Sequence, residues 1–158
     1  MARNQVRRAT VEEIPAILDL LEQVNMVHHL GRPDLFKGPT TKYTAGELEA
    51  LLSDEESPVF VCVDEGGRVL GHGFCRLEHY GGRLMVERDS LYIDDICVDE
   101  AARGLGVGRA LYGHIAAWAK ARGCYDLTLN VWNCNPGAMA FYEKLGLVPY
   151  KVGMEKIL

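Results

Sequence analysis

The chain has 158 residues, 48% of them hydrophobic, which is enough for one domain with a true core. Its formal net charge of −5 argues against nucleic acid as a partner and is compatible with a cationic substrate. No apolar run approaches the roughly 18 residues that a membrane-spanning helix needs, and the basic start Met1–Arg8 carries no apolar signal segment. The expectation is a single domain over 1–158, cytoplasmic, with no membrane partner.

Gln5–Ala9 reads as a short first strand. Thr10-Val11-Glu12-Glu13 has the form of a capping box, with Glu13 reaching back to Thr10. Ile14, Ile17, Leu18 and Leu21 then follow at helical spacing, and Pro15 sits early enough for its missing N–H to matter little. A second, shorter helix is expected over 23–30. Residues 31–40 form a long irregular segment anchored by Leu35 and Phe36. Loops of this length in a small domain are often functional. For 23–44, a packed surface excursion and a substrate-binding role carry equal weight. A short helix is expected over 44–52.

Val59–Val63 is an uninterrupted apolar run, read as a buried strand. Asp64–Arg68 is a turn, and Val69–Leu77 returns as the second arm of a hairpin. Gly71 and Gly73 within that arm predict a bulge or close packing. After a turn over 79–83, residues 84–98 make a third antiparallel strand.

That strand runs into Arg103-Gly104-Leu105-Gly106-Val107-Gly108-Arg109. Glycines let the backbone approach a ligand closely. A helix opening there presents unpaired N–H groups and its positive dipole end to an anion such as a pyrophosphate, and Arg103 and Arg109 add charge. The P-loop pattern fails, because Arg109 stands where the second Gly is required and no Gly-Lys-Ser/Thr follows. The dinucleotide pattern fails from either starting glycine, at Arg109 or at Leu111.

The following helix is expected over 105–122, with Val107, Leu111, Ile115 and Trp118 on its apolar face and Gly123 as its stop. Residues 126–132 alternate as a strand, parallel to 91–98 through a crossover. Asn135 caps the next helix with Pro136 at its first position, and Ala138, Phe141 and Leu145 form the stripe expected to be buried. Val148, Tyr150, Val152 and Met154 alternate as a last strand.

The five cysteines (62, 75, 97, 124, 134) are irregularly spaced without a Cys-x-x-Cys, so neither a metal site nor a redox pair is indicated. Cys62, Cys75 and Cys97 are expected in the core.

Arg103-x-x-Gly106-x-Gly108 after a strand resembles the acetyl-CoA pyrophosphate loop of the GNAT superfamily of N-acetyltransferases. The stretch from Asn133 to Leu147, with Asn135, Ala138, Phe141, Tyr142 and Gly146, resembles that family's second cofactor motif. With the element order, the resemblance covers most of 5–157. Leu91–Val98 is similar, more narrowly, to the corresponding strand of diamine and polyamine acetyltransferases. The resemblance implies an α/β (α+β) GNAT fold: a mixed, mostly antiparallel sheet flanked by helices, with a splayed parallel strand pair that binds acetyl-CoA. Mapped residue by residue, Ile96, Cys97 and Val98 would pair with the pantetheine amides. Arg103, Gly104, Leu105, Gly106, Val107, Gly108 and Arg109 would hold the pyrophosphate, and Asn135 would contact the pantetheine arm. The activity implied is direct acetyl transfer to an amine.

Such an amine has a pKa near ~10 and arrives protonated, so a group must take its proton. The departing thiolate can be protonated by an acid, and no nucleophilic Cys or Ser is required. The family match makes Tyr142 the candidate acid, also lining the cofactor slot. Asp94 is the leading base or amine-binding group. In a regular strand Asp95 points to the opposite face, an assignment that a bulge would change. His79 is a second base candidate. His28, His29 and His72 have no metal-ligand companion, and His114 is expected in solvent. The acceptor read from this is a small primary amine, polyamine-like or amino-acid-like. Alternatives are a protein lysine or N-terminus, and a non-catalytic acyl-CoA sensor. Pairing of the last strand across a homodimer axis is compatible with the fold.

Overall fold

The computed structural model describes residues 3–158; Met1 and Ala2, which begin the basic N-terminus, lie outside them. The elements are β1 (Gln5–Arg8), α1 (Ile14–Gly31), α2 (Ala45–Leu52), β2 (Val59–Val63), β3 (Val69–Tyr80), β4 (Arg88–Val98), α3 (Val107–Ala121), β5 (Asp126–Leu129) and α4 (Pro136–Lys144). They form one sheet in the order β1-β2-β3-β4-β5. All pairings are antiparallel except β4–β5, which is parallel.

Alternation along the strands sends side chains to two faces. Val59, Val61, Val63, Phe74 and Cys97 pack beneath α1 and α2, against Ile14, Ile17, Leu21 and Leu48. Phe60, Cys62, Cys75, Leu91 and Ile93 pack beneath α3, against Val107, Leu111 and Ile115. Gly71 and Gly73 let α3 lie close to the sheet: a Cβ on Gly71 would come within 2.7 Å of the Cys97 carbonyl and 3.0 Å of Val107 Cγ1. A Cβ on Gly73 would come within 2.7 Å of Ile115 Cδ1.

Several sequence expectations are corrected. α1 is continuous to Gly31, with no second helix over 23–30, because no Gly or Pro interrupts residues 16–30. β4 starts at Arg88; Leu84 and Val86, read as strand, are exposed in the preceding turn. β5 stops at Leu129, three residues early. α4 has no fully buried residue, so the Ala138–Phe141–Leu145 stripe is only half-covered. Residues 148–154 make no strand: among the described residues they pair with no other strand, and their apolar side chains are exposed. His114 is not fully solvated: its ring lies edge-on to Phe60, 5.1 Å between centroids.

Candidate active site

The parallel pair β4–β5 runs only from Ser90↔Asp126 to Ile93↔Leu129. Beyond Ile93 the strands part. Ile96, Cys97 and Val98 keep their partners on β3 (Gly73, His72 and Gly71), but among the described residues their opposite edge has no strand partner. Backbone donors and acceptors on such an edge are available to an extended ligand.

The slot leads to the start of α3. Gly104 and Gly106 adopt positive φ (81° and 77°), which turns the loop back on itself. Gly106 is the N-cap, and among the described residues no side chain caps α3, so its first N–H groups remain open. A Cβ on Gly104 or Gly106 would meet nothing within 4 Å, so the outer face of the loop is open space. Arg103 and Arg109 are exposed, and among the described residues neither has a carboxylate within ion-pair distance. The donor set of unpaired N–H groups, a helix dipole and two free guanidiniums fits a pyrophosphate. Leu105 is exposed on the loop, and Val107 is buried beneath α3, so Val107 can serve a ligand only through its backbone.

Asp94 occupies a β-bulge. Phe74 pairs with Asp95 and Cys75 with Ile93, which leaves Asp94 unopposed. The extra residue shifts the alternation. Asp95 therefore does not point to the α3 face: its Oδ2 lies 2.9 Å from Nε2 of His72, which is completely buried. Asp94 points to the side of the 31–44 segment, where its Oδ2 accepts a hydrogen bond from Lys42 Nζ. Both carboxylates thus lie just beyond the point where β4 and β5 part.

Tyr142 is half-buried on α4 beside Phe141, with ring centroids 5.1 Å apart. Burial, and then the nearby Asp95 charge, push its pKa well up, so the phenol holds its proton. Asn135 spends its side-chain oxygen on the α4 cap, accepting from Ala138 N–H at 3.2 Å; its Nδ2 has no partner among the described residues. The Cys97 side chain faces away from the slot, its thiol 3.3 Å from the Leu20 carbonyl, and burial pushes its pKa up to about 12. It is no nucleophile, and only its backbone lies on the free edge of β4.

His79 lies elsewhere. It pairs with Asp89, five residues up β4 from Asp94 and thus about 17 Å away along the strand. It is bound to Asp89 (2.6 Å) and Glu56 (2.9 Å), which raise its pKa. His28 and His29 serve the irregular segment: the His28 ring lies against Phe36, and His29 Nδ1 is 2.7 Å from the Phe36 carbonyl. Among the described residues no metal-binding group forms.

The 31–44 segment closes the open end of the strands. Phe36 meets Trp132 edge-on at 5.4 Å, a Cβ on Gly31 would lie 2.5 Å from Cys134 Sγ, and Tyr43 stacks on Phe74 at 5.7 Å. Sequence reasoning missed Lys42 and the His72–Asp95 pair. The only signal for either was position: a lysine in the long segment, and a histidine one strand from the acidic pair.

A family model described as "Acetyltransferase (GNAT) family" matches residues 24–147. Glucosamine 6-phosphate N-acetyltransferase 1 of Oryza sativa is 35% identical over 46% of this chain and 47% of its own. Thialysine N-epsilon-acetyltransferase of Bos taurus is 29% identical over 86% and 73%. A tetramutant of the BH1408 protein of Bacillus halodurans superposes with a TM-score of 0.93 at 32% identity, covering 98% of this chain and 99% of that one. The chain spans about half the length of the first curated relatives that it matches. The strand order, the splayed parallel pair and the match over residues 24–147 agree: this chain belongs to the GNAT acetyltransferase family.

Proposed function

We propose that the chain is a single-domain, cytoplasmic N-acetyltransferase that passes the acetyl group of acetyl-CoA directly to the primary amine of a small molecule, polyamine-like or amino-acid-like. The observation that carries this is the break of β4 from β5 immediately before Asp94, with an uncapped, arginine-flanked helix start at one end of the slot and a carboxylate at the other. In this reading acetyl-CoA supplies the activated acyl group. The N–H groups of residues 104–109, with Arg103 and Arg109, hold its pyrophosphate, and the free edge of Ile96–Val98 aligns its pantetheine arm with help from Asn135. Asp94 binds the acceptor ammonium and takes a proton from it. Tyr142 returns a proton to the leaving sulfur, for which a half-buried, protonated phenol is suited.

Support for a reducing compartment comes from the described cysteines, all free. A homodimer is part of the same proposal. Val148, Tyr150, Val152 and Met154 alternate and are 63–91% exposed, the preceding α4 has no buried residue, and β5 is left as an edge strand of the sheet. A second copy would cover them.

The test measures CoA thiol release from acetyl-CoA across polyamines, amino acids, aminoglycosides and short peptides, with Tyr142→Phe alongside. Amine-dependent release with a small cationic amine, reduced in the variant, is expected. Tight acetyl-CoA binding without release for any amine would overturn the transferase in favour of a sensor.

A further inference from the structure

Lys42 is placed where the proposed reading puts the acceptor amine. Its Nζ donates to Asp94 Oδ2 at the β-bulge, just beyond the point where β4 and β5 part. Lys42 is not loosely tethered. Asn25 Nδ2 donates to the carbonyls of Lys37 (3.1 Å) and Gly38 (3.0 Å), and Tyr43, the next residue, stacks on Phe74 of β3. Among the described residues it is the one lysine with a carboxylate within 4.0 Å. A primary alkylamine, a proton acceptor in contact with it, and an open strand edge for a thioester therefore coincide in one chain.

We propose that this protein acetylates its own Lys42. Lys42 Nζ loses one proton to Asp94, and its lone pair attacks the acetyl carbonyl carbon of bound acetyl-CoA. The C–N bond forms, and the C–S bond breaks with its electron pair going to sulfur. The remaining extra proton on nitrogen neutralises the thiolate. The products are Nε-acetyl-Lys42, CoA thiol and one proton, which leaves Asp94 for solvent. The reaction is intramolecular, so its rate depends on geometry and not on encounter. Once acetylated, Lys42 has lost its charge, and Asp94 is free to take an external ammonium. This inference rests on the proposed use of the slot by acetyl-CoA.

The experiment incubates the full chain with acetyl-CoA and no added amine, and follows acetylation of each lysine by peptide mass spectrometry. Acetyl-CoA binding by calorimetry and thiol release with an external amine are measured on the same sample. Lys42 is expected to react on the order of 10²-fold faster than the exposed Lys37, the size of effect a positioned base gives. Its rate constant is expected to stay unchanged on dilution of the protein, and Asp94→Asn is expected to bring Lys42 down to the Lys37 level. Equal rates at Lys42 and Lys37 in the unmutated protein overturn the inference and need no variant to fold. A rate that falls on dilution also overturns it, because one molecule is then acetylating another. If external amines are acetylated while Lys42 is not, the self-reaction is wrong and the proposed function stands. Absence of acetyl-CoA binding defeats both.

Discussion

Gly108, in the first turn of α3, lies against the ring of Phe141 on α4: a Cβ on the glycine would come within 3.1 Å of Phe141 Cζ and 3.6 Å of Val98 Cγ2. The contact brings the anion loop, the end of β4 and the helix that carries Tyr142 together. Gly108→Ala would gain up to about 1 kcal/mol of helix propensity and lose part or all of it in displacing the ring. The expected result is a near-normal melting temperature with a severalfold higher KM for acetyl-CoA. Melting and initial-rate measurements on the same preparation check this.

Asp94 is an unopposed bulge residue whose side chain contributes nothing to either core. Asp94→Asn should leave stability within about 0.5 kcal/mol and lower kcat/KM for the amine on the order of 10²-fold. Steady-state kinetics beside a urea melt separate the two effects. A large loss of stability with an unchanged rate would make Asp94 structural.

Tyr142 tests proton delivery. Its pKa lies above the ordinary 10.0 because burial, and then the Asp95 charge, disfavour the phenolate. The acid form is therefore present at all lower pH values, so the profile of kcat should show no alkaline fall from this group below about pH 10. Tyr142→Phe should lower kcat on the order of 10²-fold with little change in the KM for acetyl-CoA. Dissociation constants and pH–rate profiles of both proteins supply the comparison.

Glu13 ties the entry of α1 to β1. Its Oε1 accepts from Arg7 Nη2 at 2.7 Å, and its Oε2 accepts from the Thr10 N–H at 2.6 Å. The Arg7 hydrogen bond first, and the Thr10 bonds after it, outweigh burial and hold the carboxyl below its ordinary 4.5. Its stabilisation is thus present above pH 4.5 and is lost as pH falls through the lower folded value. Glu13→Gln should cost about 1 kcal/mol at neutral pH, and the two proteins should converge in acid. Urea melts across that range measure it.

The exposed alternating tail should mediate self-association. Val152→Asp is expected to shift the protein from dimer to monomer in sedimentation velocity, and the unmutated chain should dissociate on dilution as a single species. A monomer at every concentration would leave the exposed Val148–Met154 side chains without the cover proposed here.

Local chemistry made much of the architecture legible in advance. Val59–Val63 read as a buried strand, residues 44–52 as a short helix, and Asn135 as the cap of the helix that begins just after it. Each signal depends on residues within a turn or two of one another, and so does the arginine- and glycine-rich loop that pointed to an anion. Strand pairing is different, because it depends on residues far apart in the chain. The bulge at Asp94 exists only in the register of β4 against β3, and it alone turns Asp95 towards His72 and leaves Asp94 to Lys42. The alternation over 148–154 promised a strand, but alternation states which side chains share a face and not whether an edge is there to receive them. Local backbone and capping preferences, readable along the chain, were enough for most of the elements and for the turn from β4 into α3, but not for the continuity of α1, the ends of β4 and β5 or the expected last strand. Which carboxylate meets which cation, and where the sheet opens, came only with the tertiary structure, because both depend on register, splay and the path of the 31–44 segment.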